Sequence, residues 1–137
     1  GNLDRRCVGV DDFSEFGGPR DAFLARFSAA RSPLHTFHQM DYCDYFARKH
    51  RGPIGFYFYD GSHRYEHQLR GLEAAEPFLS PGGIILVDDT NDEEPSRATR
   101  DFLAARPGAF GTLFERRTAG NGHPTYWNGI TLLQKAG

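Results

Sequence analysis

Two continuous apolar runs constrain this chain most. Residues 54–59 read IGFYFY and residues 84–87 read IILV. Neither alternates apolar with polar, so neither suits a strand with one face in water. Such runs suit strands buried on both faces, the usual condition of a parallel sheet. Between them, Tyr65, Leu69, Leu72, Ala75 and Leu79 step by three or four residues. That is the period of a helix with one apolar face.

The alternation extends in both directions. Residues 6–10, RCVGV, predict a short buried strand ending at Asp11 and Asp12. Residues 19–30, PRDAFLARFSAA, predict a helix with Pro19 near its start and Phe23, Leu24 and Phe27 on one face. Residues 34–39 predict a second strand, and residues 41–50 a short helix that Asp41 can cap. Ser80-Pro81-Gly82-Gly83 predicts a turn before IILV, and residues 95–105 predict another helix. GTLFERR and GITLLQK, joined by a Gly/Asn/His/Pro loop, predict a long hairpin. Four strand–helix alternations and a closing hairpin predict one α/β domain over residues 1–137, with a mostly parallel sheet.

Composition excludes several classes. Hydrophobic residues at 39% and charged residues at 25% are ordinary for a globular fold and too apolar for a disordered chain. A net charge of −2 gives no basic excess for nucleic acid, and no apolar run is long enough to span a membrane. Cys7 and Cys43 have no metal-ligand spacing and are too few for a disulfide framework. They predict buried thiols in a reducing, cytoplasmic setting.

Acids follow the predicted strands closely: Asp11 and Asp12, Asp41, Asp60, then Asp88 and Asp89. Parallel strands put their carboxyl ends on one edge, where ligands bind in open α/β sheets. Each acid alone has a simpler reading as a turn or cap. Asp60, Asp88 and Asp89 form the sharper group, because neighbouring strand ends would crowd three carboxylates that repel one another. A hard divalent cation such as Mg²⁺ relieves that repulsion, takes oxygen ligands and leaves positions for substrate oxygens. His63, three residues past Asp60, is a candidate general base or substrate contact, or an idle residue in the first turn of a helix. Asp11, with Asp12 as its alternative, suits ribose hydroxyls at a strand end. Asp41 and Tyr42 suit the flanks of an adenine ring, against the plainer reading of Tyr42 as a core aromatic. Tyr126 and Trp127 either line an aromatic pocket or bury themselves against the hairpin, with burial favoured.

The stretch DGSHRYEHQLRGLEAAEPFLSPGGIILVDDTN, residues 60–91, resembles the second half of class I S-adenosylmethionine-dependent methyltransferases, closest to the small-molecule O-methyltransferase branches. Asp-Gly-x-His-x-Tyr, a helix, Pro-Gly-Gly and a strand ending in an acidic pair carry the resemblance. CVGVDDF at 7–13 resembles the family's second strand with its ribose-binding acid, and the closing hairpin resembles its antiparallel last strands. The resemblance implies a Rossmann-like fold, S-adenosylmethionine as cofactor and a small-molecule hydroxyl as acceptor. It assigns the ribose to Asp11 and the adenine region to Asp41. Asp60, Asp88 and Asp89 would hold a cation in metal-dependent members, and His63 would lie near the reaction centre.

The family's opening strand and Gly-x-Gly-x-Gly loop have no counterpart before Asp11. The expectation is therefore a fold lacking its first strand, with exposed apolar edges that favour a homo-oligomer. The competing expectation is a non-catalytic or truncated methyltransferase-like module that serves binding. A phosphoacceptor receiver domain fails on order, since its acidic pair should precede its acceptor Asp. A dinucleotide oxidoreductase fails for want of G-x-G-x-x-G.

Overall fold

A computed structural model describes residues 3–15 and 17–137. In chain order the elements are β1 (Cys7–Val10), α1 (Arg20–Ala30), β2 (His35–His38), α2 (Tyr42–Arg48), β3 (Ile54–Tyr59), α3 (Tyr65–Ala75), a 3₁₀ turn (Glu76–Phe78), β4 (Leu79–Asp88), α4 (Glu93–Ala104), β5 (Phe110–Arg116) and β6 (Ile130–Lys135). The predicted alternation and hairpin are present. The chain divides into two compact units, Gly1–His50 and Arg51–Gly137.

In the first unit β1 and β2 pair in parallel, Cys7 opposite His35 through Val10 opposite His38. Phe13, Phe23, Phe27 and Phe37 form an aromatic cluster, with Phe23 and Phe37 centroids 4.8 Å apart. Each such pair is worth about 0.5–1.5 kcal/mol beyond its area. The Asp41 carboxylate accepts from the Asp44 amide at 3.0 Å and caps α2. Buried Tyr45 shares a 3.2 Å hydrogen bond with His50 Nδ1. Two expectations are corrected. β1 is half-exposed, because a two-stranded sheet has too little surface to bury it. For the same reason Cys7 is exposed, and Cys43 is only half-buried.

The second unit holds the main core. Its sheet runs β3-β4-β6-β5, with β3 and β4 parallel and the other pairs antiparallel. Leu72, Leu79, Ile85, Val87, Phe102 and Leu133 form the core under α3 and α4. The period of two explains the choice. Tyr57 and Tyr59 of β3 are level with Ile85 and Val87 of β4, and all four face the helices. Phe56 and Phe58 face the other way and are 57% and 48% exposed. The expectation that IGFYFY is buried on both faces is therefore corrected: β3 is an edge strand covered on one face only. The predicted SPGG turn is a bulge inside β4. Pairing jumps from Ile54–Leu79 to Phe56–Ile84, and Gly82 takes a φ of 73° that favours glycine.

Candidate functional site

β3 and β4 end side by side, so the residues that follow them share one rim. Asp60 follows β3 directly and Asp89 follows β4. Asp89 takes φ 53°, a left-handed conformation that Asp tolerates better than most residues at a cost of roughly 1 kcal/mol. The conformation turns the chain sharply at the rim, and the Asp89 carbonyl accepts from the Asp92 amide at 3.0 Å. His63 Nε2 lies 2.7 Å from Asp89 Oδ2, and His63 Nδ1 lies 3.9 Å from Asp92 Oδ2. Ligand atoms of Asp60, His63 and Asp89 all lie within 4.8 Å of one another.

Electrostatics mark Asp89 as the costly member. Burial pushes its carboxyl above the usual carboxylate range, and the charges of Asp88 and Asp92 push the same way. The nearby His63 and a hydrogen bond with Asn128 oppose the rise. A neutral imidazole 2.7 Å from a carboxylate donates through Nε2, which leaves its lone pair on Nδ1. The pair has the form of an acid-oriented histidine.

The expected trio was Asp60, Asp88 and Asp89, and here the structure differs. His63 takes the third place, while Asp88 ends β4 opposite Ile130 and lies outside the group. Consecutive residues of a strand point to opposite faces, so an adjacent acidic pair does not converge without further turning. Two carboxylates and an imidazole fit a divalent cation, since the cation would offset the crowding of the acids. A ring nitrogen in the set suits Mn²⁺ or Zn²⁺ better than Mg²⁺, which prefers oxygen throughout.

Asp11 and Asp12 both make turn bonds. Asp11 Oδ1 accepts from the Phe13 amide at 2.8 Å, and Asp12 Oδ1 from the Ser14 amide at 2.9 Å. Hydrogen bonds from Ser14 also lower the Asp12 pKa. Asp41 is the cap described above, and Tyr42 opens α2 half-buried. These four belong to the first unit, and the acid–histidine group to the second.

Sequence reasoning missed the role of Asn91. Its side-chain nitrogen donates to the Thr118 carbonyl and hydroxyl at 3.1 and 2.9 Å, and its Oδ1 accepts from the Thr118 amide at 3.0 Å. Its amide donates to the Asn128 carbonyl at 2.9 Å. One side chain thus fastens the 117–129 loop to the rim two residues past Asp89. The available signal was an Asn two residues after the acidic pair, in VDDTN. The favoured burial of Tyr126 and Trp127 is also corrected, because they are 41% and 61% exposed. The loop closes on itself through the His123–Trp127 bridge, leaving both rings outside the hairpin core.

Solved structures share this fold. An O-methyltransferase from Bacillus cereus, in complex with S-adenosylhomocysteine, matches with a TM-score of 0.61 at 15% identity, over 95% of this chain and 62% of that one. A TDP-rhamnose 3′-O-methyltransferase of calicheamicin biosynthesis matches with 0.59 at 23%, over 97% and 60%. The Streptomyces achromogenes O-methyltransferase of tomaymycin synthesis, in complex with S-adenosylmethionine, matches with 0.58 at 18%, over 96% and 62%. The chain spans about three fifths of the length of these structures. No curated protein matches it. A family model described as a methyltransferase domain matches residues 1–90. Matched over more than half its length and built on the class I, Rossmann-like α/β fold, the chain belongs to the methyltransferase domain family.

Proposed function

We propose that this chain serves an S-adenosylmethionine-dependent O-methyltransferase whose acceptor is a small molecule with a hydroxyl group. The observation that carries the reading is the convergence of Asp60, His63 and Asp89 at the carboxyl ends of two parallel strands, in a methyltransferase-family fold. The acceptor class is supported by the neighbours that carry O-methyltransferase names and by the absence of a net positive charge.

His63 Nδ1 would take the acceptor's hydroxyl proton, with Asp89 orienting the ring through Nε2. Asp60 and Asp89 would hold the acceptor's oxygen region, and methyl transfer would then depend on in-line placement of donor and oxyanion. With a divalent cation held by Asp60, Asp89 and His63, the Nδ1 lone pair would go to the cation instead, and the cation in place of His63 would ease loss of the hydroxyl proton and stabilise the deprotonated oxygen. Asp11, with one carboxylate oxygen used in its turn, offers the other to ribose hydroxyls. Asp12 stands beside it as the alternative, and Asp41 and Tyr42 are the candidates for the adenine edge.

Among the described residues no helix is long and apolar enough to cross a membrane. Two cysteines left as thiols support a cytoplasmic setting. Self-association is part of the proposal, supported by the open edge of β3 and its exposed Phe56 and Phe58.

The test is transfer of a labelled methyl group from S-adenosylmethionine to a panel of catechols and phenols. The reading expects transfer with wild type, and its loss in Asp60→Asn and His63→Ala. Binding of cofactor without transfer to any hydroxyl would move the chain to the class of binding modules.

A further inference from the structure

The 114–126 segment forms an open groove of about 490 Å³, lined by Phe114, Arg116, Arg117, Thr118, Ala119, His123, Thr125 and Tyr126. Its composition is unlike that of the rest of the rim. No lining residue is acidic, in a chain whose net charge is −2. Arg116 has no carboxylate partner among the described residues. Arg117 donates to the Ser96 hydroxyl at 3.2 Å and has no carboxylate partner among the described residues. That hydroxyl also receives Arg100, whose own charge is met by Glu93 at 2.9 Å. Among the described residues, therefore, no carboxylate neutralises the Arg116 and Arg117 guanidinium groups.

The other wall is aromatic. Phe114 and Tyr126 meet edge to face with centroids 5.5 Å apart, and both stay more than a third exposed. An exposed aromatic pair of this kind offers a ring-sized apolar surface. His123 Nδ1 accepts from the Thr125 amide at 3.3 Å, so the proton of the neutral ring sits on Nε2 and can be donated. Two guanidinium forks, one N–H donor and an aromatic wall match a planar ring that carries an oxyanion.

The position ties the groove to the acid–histidine group. β5 and β6 bring the loop to the same sheet edge as the end of β4, since Arg116 and Asp88 both pair with Ile130. Asn91 then bolts Thr118 to the rim beside Asp89. We infer that this groove binds the anionic end of the acceptor, an aromatic ring bearing a carboxylate or a phosphate. The inference rests on the methyltransferase reading above and narrows its substrate class. Arginine recognises both oxyanions, so the experiment must separate them.

Trp127, next to Tyr126, is the only tryptophan and reports on the loop by its fluorescence. The intact chain is titrated with benzoate, with neutral benzyl alcohol and with phenyl phosphate. The expected result is saturable binding of one or both anions, at least tenfold tighter than benzyl alcohol, weakened at least tenfold in Arg116→Ala and by added salt. Whichever anion binds more tightly identifies the group. Equal affinity for benzoate and benzyl alcohol, no binding of either anion, or unchanged affinity in a folded Arg116→Ala/Arg117→Ala variant would overturn the inference. S-adenosylhomocysteine is titrated into the same sample. Cofactor binding without anion binding would sink the groove and spare the methyltransferase reading, and the reverse would do the opposite.

Discussion

Gly71 faces the Tyr59 ring across the α3–β3 contact, and replacing it with Ala tests how the site is held. A Cβ built on Gly71 would stand 2.2 and 2.5 Å from two ring carbons of Tyr59. Carbon contacts sit near 3.5–4.0 Å, so the ring would have to retreat by roughly 1 Å or more. It has little room. Tyr59 is 5% exposed, its hydroxyl donates to the Ser62 carbonyl at 3.3 Å, and Gly61 closes on the ring's far end. Overpacking of this kind costs about 1–3 kcal/mol, and loss of the Ser62 bond about 1 more. Against that, Ala is favoured over Gly inside a helix by about 1 kcal/mol. The net expectation is a destabilisation of about 1–3 kcal/mol. Urea unfolding followed by circular dichroism measures it. The cost should shrink by about 1 kcal/mol or more in a Tyr59→Leu background, where the ring is absent. A neutral or stabilising Gly71→Ala would refute the reasoning, because it would mean the ring yields freely. Tyr59 immediately precedes Asp60, so the same variant should also weaken cation binding at the rim.

Asp89→Asn carries a pH signature. The Asp89 carboxyl titrates above its unfolded value of 3.8, so between the two values the folded chain binds more protons than the unfolded one. Stability contributed by this group therefore falls as pH rises through that window, and the loss persists above it. In chelator-containing buffer the Asn variant should melt above wild type at pH 7. The gap should close as pH drops below the folded value, and a gap that widened would contradict the burial argument. Gly129→Ala should cost about 2 kcal/mol or more, since Gly129 has φ 86° and its Cβ would lie 2.6 Å from Asn91 Oδ1. Asn91→Ala should cost about 1–3 kcal/mol and raise amide exchange across 117–129; unchanged exchange there would refute its role as the loop's anchor. Phe58→Lys should shift sedimentation toward monomer without lowering the melting temperature, and an unchanged profile would remove that face from the proposed association.

Much of the fold was legible because its period is strong. IILV and the Tyr65–Ala75 part of the helix repeat were clear, and β4 and α3 lie there; the repeat overran the helix, because Pro77 ends it in a 3₁₀ turn and Leu79 opens β4. Burial was less legible. IGFYFY looks the same whether one face or two are covered, and what covers a sheet depends on elements far away in sequence. Asp41 shows the same degeneracy at a site: an acid at a helix start reads equally as ligand or cap, and here it caps. Asp60 and Asp89 were legible as strand-end acids. His63 in place of Asp88 was not, because that choice depends on one left-handed residue, Asp89, which turns the chain at the rim. Asn91 was invisible for a related reason, since its partners are more than 25 residues away.

The most direct test is calorimetric titration of S-adenosylhomocysteine into the purified chain, with and without Mn²⁺ and Mg²⁺. The account predicts saturable one-to-one binding, strengthened by Mn²⁺ more than by Mg²⁺. It also predicts that Asp60→Asn and His63→Ala abolish the metal effect while Asp88→Asn keeps it. No heat under any condition would contradict cofactor binding by this chain, and a metal effect that followed Asp88 instead of His63 would contradict the geometry of the site.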